Sequence, residues 1–435
     1  MKDIKDIKER IHLYFEESKK EMYAHLSSLM EFESVTENRL CCKKALKYVA
    51  DLADSFGMRT KIGSHEDVAV IEIGEGDTTV GILAHVDVVD IGNRSAWTYE
   101  PYTLTEKDGI LYGRGVVDDK GAVIVSLYAM KFLLETVTSF DKKIQLIVGT
   151  SEESRWVDMQ HYKEEFEAPD YGYSPDGNFP IYNAENGFLD IVLEFTQALP
   201  QEYDGFKSGD ATNSIPSEAE YKYEGKLYKT TGKAAHSSIP QLGENAMVKM
   251  AENLKGKDID FAELLCDFFP EGEYASLLPI ARNEIDVPEN MLLPTTIVPT
   301  VLRQEGRNVN INFNVRQAFD IPNENIIAAF ETQKDRYHYD IRIAESLSPI
   351  YMDCHQPWLA RMEKIYEAYG KKNEFLPGAG CSYAKAVPNF VCWGPIFPGD
   401  LDCAHMENEQ ITEESLLLGA EIYTAYLYEE ATTAE

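Results

Sequence analysis

DKKIQLIVGTSEES, residues 141–154, is the stretch on which the reading of this chain turns. A largely apolar run from Ile144 to Val148 breaks at Gly149 and Thr150 and ends in two adjacent acids, Glu152 and Glu153. An apolar run of that length between Lys-rich and Gly/Ser/Thr punctuation predicts a buried parallel strand of an α/β sheet. Open α/β sheets bind ligands beyond the carboxyl ends of their strands, so two acids at such a tip are candidates for a site. Neighbours on an extended tip point apart, which lets Glu153 face a metal and Glu152 a substrate. A solvated acidic turn is the other reading of the same pair, and on this stretch alone it stays open.

Composition narrows the classes. The 435 residues predict two domains. An apolar fraction of 44% is ordinary for a globular chain, and no window is apolar enough to span a bilayer. The charged, helix-periodic start MKDIKDIKERIHLYFEESKKEM has no secretory signal pattern, so the expected location is the cytoplasm. Seven cysteines without a Cys-x-x-Cys pair predict reduced thiols and argue against thiolate zinc sites. Any metal is then expected on His and carboxylate. A formal charge of -33 repels phosphate backbones and anionic lipid, which excludes nucleic-acid and membrane partners from the expectation.

Working outward from the acid pair, GILA leads into His85-Val86-Asp87, where His85 and Asp87 share one face of an extended segment. Gly113, Gly115 and Gly121 punctuate a turn that presents Asp118 and Asp119 before an apolar helix, and YGYSPDGNFP places Asp176 at another strand end. From about Phe188 shorter β-like pieces such as LDIVLEF and VNINFNV surround a helix from about Glu244. The expected architecture is α/β: a catalytic domain with a mixed central sheet flanked by helices over 1–187 and 348–435, and an inserted α+β lid domain over 188–347. Taken singly, His85 reads equally as a core histidine, Asp118 as a helix cap, Asp176 as a turn former and His405 as a surface residue. Taken together, these hard oxygens and imidazoles suit zinc, cobalt or manganese, and a pair of ions sharing a carboxylate needs about this inventory.

HVDVV, YGRGVVDDKGA, GTSEES, YSPDGNFP, AAHSSIPQLGENAM and CAHMENE occur in the order found in the aminoacylase and glutamate-carboxypeptidase superfamily of di-zinc peptidases. The chain resembles most the bacterial branch of Xaa-His, or carnosine-type, dipeptidases, to which PGAG, YAKAVPN, GPIFPG and AHMENE point. The resemblance implies that His85 and Asp176 bind one Zn2+, that Glu153 and His405 bind a second, and that Asp118 bridges them, with Mn2+ or Co2+ as substitutes. It implies a cis peptide between Asp118 and Asp119, Asp87 as the acid orienting His85, and Glu152 as the general base for a metal-bound hydroxide. In the insert it implies His236 as the oxyanion-stabilising residue and Asn213 and Arg316 as the substrate-positioning pair, Arg316 matching a terminal carboxylate.

The glycine-rich substrate loop departs from the usual pattern. It reads Ala379-Gly380-Cys381-Ser382, then Tyr383-Ala384-Lys385, and Ser151 stands where an acid usually precedes the catalytic pair. Gly380, Cys381 and Ser382 are the expected substrate-binding residues of that loop. The resulting expectation is a zinc-dependent dipeptidase acting on small peptides, as a monomer or homodimer. An N-acyl-amino-acid deacylase with the same metal chemistry is the alternative, and a noncatalytic peptide-binding protein the third.

Overall fold

The chain is described by a computed structural model over residues 4–197, 199–270, 272, 277–285, 287–380 and 382–433. It forms two compact units. One runs to Asn183 and takes in Met352–Leu376 and the stretch from Ser382; the other is Ala184–Tyr351 with a short segment from Pro377.

The first unit is a mixed sheet with helices on both faces. Its strands lie in the order Arg59–Ile62, Ala69–Ile73, Lys143–Gly149, Thr79–His85, Tyr171–Ser174, Phe390–Trp393, Ile181–Glu185. The central four, from Lys143–Gly149 to Phe390–Trp393, run parallel to one another, and the flanking pairings are antiparallel. The period of two sorts the central strands by face. Ile144, Leu146 and Val148, with Val80, Ile82 and Ala84, join the main core, whereas Leu83 and Ile147 point to the other side.

Helix Lys120–Thr136 packs on the main-core side against helices Ile4–Met30 and Glu413–Ala431. It is buried on nearly every side, which is why AVIVSLYAMKFLL carries no polar stripe. Truncating a side chain such as Leu127, wholly buried there, costs about 2–5 kcal/mol. Helix Arg39–Ser55 starts behind Asn38, whose side chain caps it by accepting the Cys41 N–H. The opposite sheet face is covered by helix Val157–Glu165 and the 3-10 turn Tyr383–Ala386.

The second unit is an antiparallel sheet in the order Lys226–Thr231, Glu218–Tyr223, Tyr203–Ser208, Thr296–Glu305, Asn308–Arg316, Phe188–Phe195, Tyr339–Leu347. Helices Ala246–Asn253, Asp260–Phe268 and Asn323–Glu331 contribute to its core. The first of these starts behind Asn245, whose side chain accepts the N–H groups of Met247 and Val248. The architecture is therefore mixed α/β in the first unit and α+β in the second. No helix among the described residues is long and apolar enough to cross a membrane.

Candidate metal centre

Three adjacent parallel strands deliver most of the candidate residues to one end of the first unit's sheet. His85 ends its strand level with Gly149 in the register, Glu152 and Glu153 follow Gly149, and Asp176 stands two residues past Tyr171–Ser174. Asp118 comes from the loop before helix Lys120–Thr136, and its peptide bond to Asp119 is cis. His405 comes from the loop preceding strand Gln410–Thr412.

Their ligand atoms converge as two groups, His85 with Asp118 and Asp176, and Asp118 with Glu153 and His405, each within 4.8 Å of one another. His85 Nε2 is 3.0 Å from Asp118 Oδ1 and 3.7 Å from Asp176 Oδ2. His405 Nε2 is 2.8 Å from Asp118 Oδ2 and 3.2 Å from Glu153 Oε2. Asp118 thus offers one oxygen to each group.

The donor set fits a pair of divalent cations. His85 Nδ1 lies 3.0 Å from the Asp87 carbonyl and 3.3 Å from its carboxylate, partners that assign the ring proton to Nδ1 and leave a lone pair on Nε2. That lone pair faces carboxylate oxygens. His85 Nε2 and Asp118 Oδ1 approach to 3.0 Å, and both are buried without a hydrogen-bond partner, as is Glu153 Oε1. Buried acceptors turned on one another are costly unless a cation sits among them. Ionised, Asp118, Glu152, Glu153 and Asp176 would carry four negative charges, which two divalent ions would neutralise. Nitrogen and carboxylate donors suit zinc, manganese or cobalt.

The electrostatics have the same cause. Burial, then the neighbouring Asp118, pushes the Asp176 carboxyl up to about 7. Burial, then Asp176, holds Glu152 well above the usual carboxylate range, and burial with Asp118 raises Glu153. Hydrogen bonding to Asp118 and then Glu153 raises His405 to about 11. Burial opposes ionisation of Asp118, but the two imidazoles beside it hold its carboxyl below the usual range. The cluster is one of crowded, buried carboxylates that favours the binding of cations or protons.

Glu152 belongs to neither ligand group. Its backbone N–H donates to Asp87 Oδ1 at 3.2 Å, and its carbonyl accepts the indole N–H of Trp156 at 2.8 Å. Asp87, wholly buried, also accepts the Glu153 N–H and the Thr36 hydroxyl. A third cluster, Asp353, Cys354 and His355, is a local turn in which the Asp353 carboxylate takes both the backbone N–H and ring nitrogen of His355.

Other residues shape the site that the sequence did not single out. Glu409, wholly buried, accepts the N–H groups of Gly115, Val117 and Asp118 and pairs with buried Arg114 at 2.7 Å. Arg114 in turn donates to the carbonyls of Asp90 and His405. One ion pair therefore ties together the loops that carry Asp118 and His405. Asp158 and Tyr383 hold the turn of the acid pair from the other side. The one local signal was position: Glu409 lies four residues after His405, and Arg114 lies between two glycines.

In the second unit, Asn213, His236 and Arg316 gather at one end of the sheet. Ser214 and His236 form an isolated bridge, and the Ser237 N–H donates to the Asn213 carbonyl. The Ser237 hydroxyl donates to Asn314, two residues from Arg316, and the Ser237 carbonyl accepts the hydroxyl of Thr296, which is opposite Arg316 in the register. His236 is exposed, with its Nδ1 2.7 Å from the Ser238 hydroxyl. The Arg316 guanidinium lies over the Phe188 ring at 4.7 Å, its buried Nε without a hydrogen-bond partner. Gly380 has open space where a Cβ would stand, Ser382 is the N-cap residue of the turn Tyr383–Ala386, and Cys381 lies outside the described residues.

Known proteins resemble this chain along most of its length. Bacillus subtilis (strain 168) "Putative dipeptidase YtjP" is 30% identical over 400 residues, 82% of this chain and 84% of its own. "Putative dipeptidase SH1171" of Staphylococcus haemolyticus is 27% identical over 454 residues, 93% of this chain and 95% of its own. Human carnosine dipeptidase 1 shares the fold with a TM-score of 0.67 at 15% identity, covering 98% of this chain and 100% of that one. The Saccharomyces cerevisiae di-peptidase Dug1p does so with a TM-score of 0.68 at 13% identity, covering 98% of each. With residues 81–429 matching the model of peptidase family M20/M25/M40, and a relative of this identity over most of its length, the chain belongs to that family.

Proposed function

We propose that this protein is a dipeptidase that works with two divalent cations, zinc in the first instance, held by His85, Asp176, Glu153 and His405 with Asp118 between them. The observation that carries the reading is the shared carboxylate: Asp118 presents one oxygen to each of two ligand groups. The names of the relatives support peptide bonds, and dipeptides in particular, as the substrate.

When bound, the ions would polarise a peptide carbonyl and make water acidic enough to be deprotonated near neutral pH. The rest falls to the chain's own groups. Glu152, outside both ligand groups and with its carboxyl raised by burial and Asp176, takes the proton from the attacking water and passes it to the departing amine. Asp87 holds the His85 ring by its Nδ1 and, through two backbone amides, fixes the turn of Glu152. In the second unit, proposed here to be the lid, Arg316 offers its fork to a substrate carboxylate. His236 meets the developing oxyanion, and Asn213 and the 380–382 loop orient the substrate.

The test is hydrolysis of a dipeptide panel by zinc- or manganese-loaded protein, read by mass spectrometry beside N-acetyl amino acids. Glu152→Gln should keep both ions and lose about 10²–10⁴-fold in turnover. Wild-type hydrolysis by that variant, or cleavage confined to N-acetyl amino acids, would overturn the reading.

A further inference from the structure

The turn that carries Glu152 and Glu153 has four consecutive backbone N–H groups taken by two buried carboxylates. Thr150 and Ser151 donate to Asp158 Oδ2 at 2.5 and 2.7 Å, and Glu152 and Glu153 donate to the two oxygens of Asp87, each at 3.2 Å. Asp87 already has a role at His85. Asp158, at the start of helix Val157–Glu165, belongs to neither ligand group and is wholly buried.

The same Asp158 oxygen accepts a third donor, the hydroxyl of Tyr383 at 2.8 Å, while its other oxygen accepts the N–H of Met159. Tyr383 is itself wholly buried. Its ring stands edge-on to the His85 imidazole, 6.0 Å between centroids and 90° between planes, and 5.7 Å from the Trp156 indole. Trp156 closes the circuit, because its Nε1–H is the donor to the Glu152 carbonyl. Space confirms how tight the junction is. A Cβ at Gly149 would stand 2.0 Å from the Tyr383 hydroxyl oxygen and 2.5 Å from Asp158 Oδ2.

We propose that Tyr383 and Asp158 act as one positioning device for Glu152, the Tyr383 hydroxyl orienting the Asp158 carboxylate and that carboxylate holding the two amides immediately before the base. The assignment rests on reading Glu152 as the general base. A base must sit within hydrogen-bond reach of the proton it takes, and a displacement of about 1 Å costs on the order of 10²-fold in rate. Among the described residues the hydroxyl of Tyr383 donates its hydrogen bond to Asp158, so its removal should reach the chemistry through Asp158. The fold should survive that removal, because Thr150 is anchored independently: Arg39 donates to its carbonyl and hydroxyl, and its own hydroxyl donates to the Asp67 carbonyl.

The test is a double-mutant cycle with Tyr383→Phe, Asp158→Asn and the pair, on metal-loaded protein. Each single variant should lose about 10-fold or more in kcat, with KM and bound metal unchanged, and the pair should be no worse than the poorer single variant, since both cut one chain of contacts. Amide hydrogen exchange over residues 149–154, measured without substrate, should quicken in both single variants while the rest of the chain is unaltered. Unchanged exchange at 149–154, additive losses in kcat, or losses that follow released metal would each overturn the device. The exchange measurement holds apart the two failures. A wild type that cleaves no peptide removes the role of Glu152 as base, whereas the coupling of Tyr383 to its turn is still decided by exchange.

Discussion

Replacing Glu409 by glutamine probes how the two loops that bear Asp118 and His405 are held. The carboxylate accepts Val117 N–H at 2.8 Å, Gly115 N–H at 3.1 Å to each oxygen, and Asp118 N–H at 3.2 Å, and it meets Arg114 Nη1 at 2.7 Å. Arg114 is 1% exposed and Glu409 0%, so neither charge has water to fall back on. A neutral amide oxygen can still receive the backbone N–H groups. The guanidinium, however, loses its counter-charge, which for a buried pair costs about 3–5 kcal/mol. Against a native margin of about 5–15 kcal/mol this is severe but survivable. The freed loops should also weaken metal binding, by about 10–100-fold, the usual effect of removing a group that orients ligands.

The assays are urea denaturation of metal-free protein and competition with a chromogenic chelator. Adding Arg114→Met to Glu409→Gln removes the stranded charge and should recover part of the stability, because a buried pair replaced as a whole is nearly neutral. Unchanged stability and metal affinity in Glu409→Gln, or a double variant no better than the single, would refute the reasoning.

Metal and pH should be linked. In stripped protein Asp176 is raised to about 7 and Glu152 and Glu153 are raised, so the folded state binds protons that the unfolded chain has lost; these groups make stability fall as pH climbs from the ordinary carboxylate range of about 4 through about 7. Zinc competes with those protons, and the gap in melting temperature between loaded and stripped protein should widen from pH 5.5 to 8; a constant gap would count against the site. Gly149→Ala should lower stability by about 1–3 kcal/mol or more, read by denaturation, since its Cβ overlaps the Tyr383 hydroxyl and Asp158. Glu430 accepts Lys142, Tyr171 and both nitrogens of an Arg361 fork, and Glu430→Ala should destabilise by about 3–5 kcal/mol while leaving kcat per folded molecule unchanged. A drop in kcat there would mean the network reaches the site.

Much of the architecture was legible because its signals are local. The apolar run at 144–148 and its Gly149 stop mark a strand whatever else is in the chain, and AVIVSLYAMKFLL announces an apolar helix. A helix start is hard to read where its cap is hidden among polar residues, as Asn38 is before helix Arg39–Ser55. The site was legible only as residue types at strand ends. Which acids would converge as ligands and which would grip backbone depends on partners hundreds of residues apart, such as Glu409 with Gly115 or Tyr383 with Asp158. Among 74 acidic residues nothing in the local sequence separates Asp158 from a solvated one. Burial separates them, and burial is a property of the assembled fold.

The account stands on two cations sharing one carboxylate, and anomalous diffraction from crystals of the zinc-loaded protein sees that directly. It predicts two peaks flanking Asp118, one against His85 and Asp176 and the other against Glu153 and His405, and neither at full occupancy in Asp118→Asn. A single peak in the wild type, or peaks away from Asp118, would contradict it.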